Sequence, residues 1–299
     1  MSTYSVTAFL KTVTKDGTPL GGSPYSTDKL AIEAAISDAV DNDTILLRAG
    51  PSSEDFDIGT TGQISITDKS LVFAGDLSGI SKPTIKGGGN TSPTQSTFLY
   101  TNNSKNKKIT FKDIKFKDWK ARAVVVNSAL DVTMQRCEFA QSNWNNRTFA
   151  VTVGGQVENR GMCVMLGSAT TPSGYPGSGG TITGNIIFED NVLDGYTDAL
   201  PVDGTNLFVF GILLRSLAES CKVTVQRNQG RGCSARTIEI LDSRASVECV
   251  ENFIQMSGFD AKRGNGSYYN ANTVQSSAGI VAVFAFNGIG HVDYGPHKI

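Results

Sequence analysis

The chain has 299 residues, with 27 Lys and Arg against 28 Asp and Glu and a formal net charge of −1. This balance gives no general attraction to nucleic acid or to an anionic membrane, so neither is expected as a partner. No apolar run reaches the ~18 residues of a membrane-spanning helix. No signal peptide is visible at the N-terminus, and the compartment stays open between secreted, virion-associated and cytoplasmic.

The N-terminal segment, residues 1–44, is expected to end in a capping helix. A short strand-like piece covers residues 4–13 and is followed by a turn rich in Gly and Pro. Ser26 or Thr27 can cap a helix that runs to about Val40, because the apolar positions there keep helical spacing. The first strand of the main body is expected from Ile45.

Five stretches of eight residues can be overlaid in the rest of the chain. They are residues 109–116, 132–139, 186–193, 223–230 and 247–254. The first and third positions are apolar in every copy, and the copies start 23, 54, 37 and 24 residues apart. A step of 23 or 24 fits one turn of a coiled array of strands. The longer steps fit the same turn with insertions, or an extra turn.

Each unit is expected to contain two strands, of which the overlaid octamer is the second. Runs such as Ala123–Val126 and residues 162–166 supply the first. The connections are too short for crossover helices, so the strands must be parallel and the chain must wind as a solenoid. Residues 45–299 then form the coils of one domain together with the preceding segment, in an all-β fold.

Two columns of side chains are expected where the octamers stack. The sixth position places Asn191, Asn228 and Asn252 in one column, where their amides can hydrogen-bond from coil to coil. The fifth position places Arg227 between Asp190 and Glu251, where opposite charges attract across adjacent strands.

The helix, the strand that begins near Ile45 and the units at residues 108–116 and 183–193 resemble the right-handed parallel β-helix of the pectate-lyase-like superfamily. The likeness covers about residues 27–290. It implies a polysaccharide or another glycan as partner. It also implies lyase or hydrolase action on an acidic polysaccharide, in a groove on the outside of the β-helix. The chain has no Gly-His-Gly segment, which argues against the polygalacturonase branch.

Insertions in a β-helix build its site, and two stand out, near residues 141–182 and 194–206. The second carries Asp194, Asp198 and Asp203. Three carboxylates so close in sequence could bind Ca²⁺, which prefers oxygen ligands, or serve as general acid and base of a glycosidase. An acidic turn that only keeps the loop soluble is the plainer alternative.

Basic and aromatic side chains complete the predicted site. The resemblance implies a basic residue that removes a proton beside a carboxylate, and Arg215 and Arg236 are the candidates for it. Lys222 and Arg244 are expected to bind substrate. Planar rings in polar loops can stack on sugars, which adds the substrate-binding candidates Trp144, Tyr175 and Tyr196. Strand-end arginines as solvated ion-pair partners, and loop aromatics as covers for neighbouring coils, are the structural alternatives.

Residues 207–214 and 280–286 are apolar on both strand faces and must be covered on both sides. A loop, the N-terminal strand, a second subunit of a homo-oligomer or an apolar ligand could supply the cover. Two other functions therefore remain open: a non-catalytic glycan-binding, adhesion or phage receptor-binding module, and an enzyme that acts on a small apolar molecule.

The five cysteines are odd in number and include no CxxC pair, so neither a disulfide framework nor a zinc site of that kind is expected. Cys137 and Cys249 fall within predicted strands, where a small buried thiol fills space.

Overall fold

A computed structural model gives the fold. The part of the chain that it describes comprises residues 1–59, 62–79, 81–87, 96–119, 122–140, 150–153, 156–159, 162–167, 181–194, 208–231, 233–241, 245–255, 269–275, 281–285, 288–289 and 297–298.

Its elements are, in chain order, β1 (Thr3–Thr7), β2 (Thr12–Lys15), β3 (Thr18–Pro19), α1 (Asp28–Asp38), β4 (Asp43–Arg48), β5 (Phe56–Asp57), β6 (Ile64–Thr67), β7 (Leu71–Gly75), β8 (Thr84–Lys86) and β9 (Ser96–Thr101). The middle part contains β10 (Lys108–Lys112), β11 (Lys115–Lys117), β12 (Arg122–Ser128), β13 (Asp131–Gln135), β14 (Glu138–Ala140), β15 (Ala150–Val153), β16 (Gln156–Asn159), β17 (Met162–Leu166), β18 (Asn185–Glu189) and β19 (Val192–Asp194). The last part contains β20 (Phe208–Arg215), β21 (Lys222–Gln226), β22 (Gln229–Arg231), β23 (Cys233–Leu241), β24 (Ser246–Val250), β25 (Phe253–Gln255), β26 (Tyr269–Gln275), β27 (Val281–Ala285), β28 (Gly288–Ile289) and β29 (His297–Lys298).

Nearly all of these strands belong to three sheets. The first sheet has the order β27-β24-β21-β18-β13-β10-β7-β4-β1-β2-β3, the second β28-β25-β22-β19-β14-β11-β8-β5 and the third β29-β26-β23-β20-β17-β12-β9-β6. From β4 onwards the described strands visit the three sheets in turn, and among them only the antiparallel hairpin β15–β16 interrupts this order. We call three consecutive strands, one in each sheet, a rung.

Strands of successive rungs pair in parallel. For example, β10 pairs with β7 on one side and with β13 on the other. The structure therefore confirms a mostly β fold of parallel stacked strands, an arrangement compatible with a β-helix. A rung has three strands, however, and the two-strand unit expected from the sequence is wrong.

The overlaid octamer is the part that was misread, because it contains two strands joined by a two-residue turn. In the first copy, β10 ends at Lys112 and β11 begins at Lys115. The fifth residue of every octamer has a positive φ, between 50° and 60°, which bends the chain from the first sheet into the second. These residues are Asp113, Arg136, Asp190, Arg227 and Glu251.

The two long steps between octamers are insertions within a rung, since β13 pairs directly with β18, and β18 with β21. The predicted insertion at residues 141–182 is not continuous, because it contains β17, a strand of the third sheet. It divides into a connection from the second sheet to the third and another from the third back to the first.

The expected asparagine column is present at the turn between the first and second sheets. Asn191, Asn228 and Asn252 are all at most 4% exposed. The side-chain Nδ2 of Asn228 donates to Asn252 Oδ1 at 2.9 Å and the backbone N of Asn228 donates to the same oxygen at 3.0 Å. Cys137, one rung earlier, donates its backbone N to Asn191 Oδ1 at 2.8 Å. The column therefore sets the register of the second-sheet strands that follow it.

The neighbouring column of charges is present but pairs differently from the expectation. Arg227 binds Asp190 through Nε at 2.8 Å and Nη2 at 2.9 Å, as predicted. Its further partner is Glu189, at 3.2 Å, and no ion pair joins Arg227 to Glu251 within the described residues. These interactions hold the pKa of Asp190 below its ordinary value, chiefly through the hydrogen bond from Arg227.

Stacked apolar side chains fill the space between the sheets. Phe73 and Phe111, on adjacent rungs of the first sheet, stack with ring centroids 5.4 Å apart. Phe116 and Phe139 do the same in the second sheet at 5.1 Å. Cys137, Cys163, Cys221 and Cys249 are free thiols in this interior, as expected for a space-filling role. Burial raises the pKa of Cys137, Cys221 and Cys249 to about 12, so these thiols stay protonated.

Helix α1 covers the N-terminal end of the interior. Thr27 is its N-cap and accepts a hydrogen bond from the backbone N of Leu30 at 3.1 Å. The helix buries Ala31, Ile32, Ala35 and Ile36. Its C-terminal carbonyls bind a lysine from outside the helix: Lys69 Nζ donates to Ile36 O, Ser37 O and Ala39 O at 2.7, 2.9 and 2.7 Å. The helix begins as predicted and ends two residues before Val40.

Candidate functional site

Of the three aspartates in the predicted site, Asp194 is the one that lies within the described residues. It is the last residue of β19 in the second sheet, directly after Leu193, which is 1% exposed. Because side chains alternate along a strand, Asp194 belongs to the outward column of this sheet. Its register partners on the adjacent rungs are Ala140 and Arg231. The asparagine column fixes this position, since Asn191 is the last residue of the turn before β19.

The edge where Asp194 lies connects the second sheet to the third, and long connections gather along it. Residues 141–161 join β14 to β17, residues 195–207 join β19 to β20, and residues 256–268 join β25 to β26. The rung between the last two is different, because Gly232 alone separates β22 from β23. One residue thus separates β22 from β23, whereas the rungs on both sides have long connections between the same two sheets.

Arg236 lies toward the same edge as Asp194. It pairs in register with Phe210 and Asn270 in the third sheet, at the column that also contains Arg122, the first residue of β12. The strands of the third sheet start at this edge. The structure thus places Asp194, Arg231 and Arg236 along one side of the array.

Arg215 and Lys222 lie at the other edge. Arg215 ends β20, whose eight residues span about 23 Å at about 3.3 Å per residue. Lys222 begins β21 in the first sheet and is exposed. Arg215 therefore lies across the width of the third sheet from the edge where Asp194 is found. The structure does not bring Asp194, Arg215 and Lys222 together.

The remaining predicted site residues lie outside the described residues: Trp144, Tyr175, Tyr196, Asp198, Asp203 and Arg244. Their roles stay predictions. The proposed Ca²⁺ site at Asp194, Asp198 and Asp203 stays a prediction for the same reason. Within the described ranges, no group of three or more His, Cys, Asp or Glu side chains could hold a metal ion.

Three adjacent strands of the third sheet, β12, β17 and β20, have buried apolar residues on the outward face as well as the inward one. Ile212 and Leu214 are inward-facing and fully buried, and Leu213 between them is only 4% exposed. Its register neighbours Met165 and Val125 are each 2% exposed. The sequence prediction that the strand at residues 207–214 is covered on both faces is confirmed for residues 212–214. The side chains of residues 280–286 lie outside the described part.

Arg231 was missed by sequence reasoning. It directly follows the octamer at residues 223–230, so the overlay ended one residue too early. Extending each octamer by one position gives Lys117, Ala140, Asp194, Arg231 and Gln255, which the structure places in a single column. The opposite charges of Asp194 and Arg231 at this ninth position could have identified Arg231 from the sequence.

No known protein family matches the chain, and no curated protein matches it. A solved structure from Geobacillus virus E2, described as ORF18, is similar at 12% sequence identity and a TM-score of 0.31. The match covers 88% of this chain and 57% of that one, so the chain spans less than two thirds of that protein's length. A likeness this distant carries no argument about function.

Among the described residues, no helix is long and apolar enough to cross a membrane.

Proposed function

We propose that the protein is a right-handed parallel β-helix of the pectate-lyase-like type that binds and cleaves an acidic polysaccharide. The reaction takes place on the outside of the array, at the edge between the second and third sheets. The observation that carries this proposal is the register of Asp194 with Arg231, on adjacent rungs at the ends of β19 and β22.

An aspartate in register with an arginine at this edge suits the chemistry. An arginine supplies a permanent cation that can neutralise the carboxylate of an acidic sugar while charge develops on it. The carboxylate of Asp194, one rung away in the same column, can accept or donate a proton in lyase or hydrolase chemistry. The stacked strands hold both residues on a rigid scaffold, which catalysis needs for positioning.

The polymer is expected to run parallel to the stacking axis. Successive rungs are about 4.8 Å apart, so one column of residues can contact several sugar units in line. The long connections on the flanking rungs leave from this edge, which is where the walls of a groove are expected. The possible ligands Asp198 and Asp203 belong to one of these connections, so Ca²⁺ dependence is part of the test.

The decisive experiment is an incubation with polygalacturonate, alginate and other uronic acid polymers, with and without Ca²⁺. Absorbance of the unsaturated product reports a lyase, and reducing ends without that absorbance report a hydrolase. Asp194→Asn and Arg231→Gln should each lower the rate by about 100-fold or more, as for the loss of a proton-transfer or charge-stabilising group. Glu248→Gln, on the exposed face of the first sheet, is the matched control and should leave the rate unchanged.

Other outcomes would redirect the proposal. If Arg215→Gln abolishes cleavage and Arg231→Gln does not, the site lies at the opposite edge of the third sheet. If the wild-type protein binds the polymers and cleaves none of them, the non-catalytic glycan-binding module replaces the enzyme.

A second candidate function has one observation in its favour. The buried outward face formed by Val125, Met165 and Leu213 is apolar, and such a face suits an enzyme that encloses a small apolar molecule. A screen of apolar dyes and hydrocarbons by fluorescence would test this function. Binding weakened by Met165→Gln would support it, and the absence of any binding would exclude it.

A further inference from the structure

Two lysines of the second sheet are adjacent in one column, and neither forms an ion pair among the described residues. Lys86 ends β8, Lys117 ends β11, and the two are direct register partners. Ile85 and Phe116, the residues before them, are buried at 0% and 1% exposure, so both lysines belong to the outward column. Side chains at such positions lie about 5 Å apart, and like charges there repel each other. Within the described residues, neither lysine has a carboxylate within ion-pair distance.

Three nearby lysines are different, because each of them already has a partner. Lys115 forms an ion pair with Glu138, and Lys108 Nζ lies 2.7 Å from Asp131 Oδ2. Lys82 Nζ donates to the backbone O of Arg136 at 2.7 Å. Lys86 and Lys117 are thus adjacent lysines of the second sheet that form no ion pair among the described residues, and Asp57 is the other register neighbour of Lys86.

A cleft near the start of α1 contains Asp57, the residue next to Lys86 in the same column. This cleft is a poorer anion site than the lysine pair. Its lining includes Lys11 and Lys29 but also Asp28 and Asp57, so the charges there balance. Lys29 is also bound to Glu33 at 2.6 Å. An anion is therefore expected to prefer the lysine pair, one rung further along the column from Asp57.

We propose that Lys86 and Lys117 form a subsite for the anionic groups, carboxylate or sulfate, of an acidic polysaccharide. The inference rests on the proposed function and extends it. Lys117 and Arg231 belong to one column and are three rungs apart, or about 14 Å. A chain that crosses the Asp194–Arg231 edge parallel to the axis would therefore also pass over the lysine pair.

A flexible anionic polysaccharide fits this surface better than duplex nucleic acid does. The basic feature is one column wide, and the adjacent outward column contains the neutralised Lys115–Glu138 pair. A duplex needs a broad basic surface that neutralises many phosphates. The overall charge of −1 also gives no such general attraction.

The test compares wild-type protein with Lys86→Gln/Lys117→Gln by calorimetric titration with polygalacturonate, dextran sulfate and neutral dextran, at several salt concentrations. We expect the double variant to bind one or both acidic polymers about tenfold more weakly and to show a shallower dependence of Kd on salt. Neutral dextran should bind neither protein. Lys112→Gln is the matched control, since it removes one half-buried lysine from the first sheet, and it should change Kd by less than about twofold. Polygalacturonate and dextran sulfate distinguish carboxylate from sulfate as the ligand.

Thermal melting separates a binding defect from a folding defect. The variant removes one like-charge contact and one lysine that lies next to Asp57 in register, so the two effects oppose each other and it should melt within about 4 °C of the wild type. An unchanged Kd and salt dependence in the double variant would overturn the subsite, as would wild-type protein that binds no acidic polymer. Tighter binding to duplex DNA than to either polymer would overturn it too.

The same samples, assayed for cleavage, keep the two proposals apart. Lysine-dependent binding without cleavage supports the subsite and overturns the enzyme. Cleavage that is indifferent to both lysines supports the enzyme and overturns the subsite.

Discussion

Asn191 and Asn228 are joined by two hydrogen bonds to a single oxygen. Oδ1 of Asn228 accepts from the backbone N of Asn191 at 2.9 Å and from its side-chain Nδ2 at 3.0 Å. Both residues lie in the interior, where a polar group without a partner is costly. The relationship ties the turn of one rung to the turn of the next and thereby positions β19, the strand that ends at Asp194.

Asn228→Ala should therefore be strongly destabilising. The change removes the acceptor for two donors of Asn191, and it also removes the Asn228 Nδ2 donor to Phe188 O. At about 1–3 kcal/mol for each buried group left unsatisfied, we expect a loss of about 3 kcal/mol in the free energy of unfolding. Urea denaturation measures it. Asn103→Ala, at an exposed position, is the control and should cost less than about 0.5 kcal/mol.

Lys69→Met should loosen the cap helix. Lys69 supplies the C-terminal carbonyls of α1 with three donors, and no basic residue occupies the last turn of the helix itself. Charge-assisted bonds at a helix C-terminus suggest a loss of about 2 kcal/mol. Hydrogen exchange should accelerate in residues 31–38 before it does so in the sheets. Equal acceleration throughout the sheets, or none in the helix, would contradict this role.

Acid should weaken the first sheet through Glu189. Its carboxylate accepts from the side chains of Gln226 and Gln135, and it also contacts Arg227. The hydrogen bond from Gln226 is the main cause of a pKa below the ordinary 4.5. Because the folded-state pKa is depressed, this stabilisation is complete above pH 4.5 and is lost as the pH falls through the lower, folded-state value.

Glu189→Gln tests that pH dependence. The variant should be less stable than the wild type at pH 7, and the difference should shrink as the pH falls below 4.5. Thermal unfolding between pH 2.5 and 7 measures both curves. Parallel curves over the whole range would show that Glu189 does not contribute to the acid sensitivity.

The part of the fold that the sequence predicted is the part in which side chains repeat. The third position of the octamers, from Phe111 to Cys249, is buried in every copy, so its apolar character was a reliable signal. The asparagine column was predictable for a similar reason, because an amide can satisfy an identical amide one rung away. Parallel pairing then followed from the short steps between copies.

The bend inside each octamer could not be predicted from residue types. Arg136, Arg227 and Glu251 adopt a left-handed backbone conformation that arginine and glutamate do not favour. Stacking of the rungs imposes it, and no glycine marks the position. The two strands on either side were therefore read as one, and the second sheet went unnoticed.

The candidate site was predicted less well, because its residues do not repeat. Asp194 and Arg215 are close in sequence, but they end strands of different sheets and lie at opposite edges of the third sheet. Proximity along the chain was a poor guide, since a long connection and a strand of about 23 Å separate them. Arg231 is 37 residues from Asp194 in sequence and one rung away in the structure.

Gly167→Ala should destabilise the corner between the third and first sheets, next to Arg215. Gly167 has a φ of +102°, and a Cβ there would lie 1.7 Å from the backbone O of Arg215. Its backbone N donates to Val126 O at 2.8 Å, which holds it in place. Because the obstacle is backbone, relief requires the two rungs to separate, and we expect a loss of about 3 kcal/mol or more. Gly79→Ala is the control, since its nearest contact would be 3.9 Å away, and it should change stability by less than about 0.5 kcal/mol. If the two variants unfold at the same denaturant concentration, the close approach of Gly167 to Arg215 is not a constraint in solution.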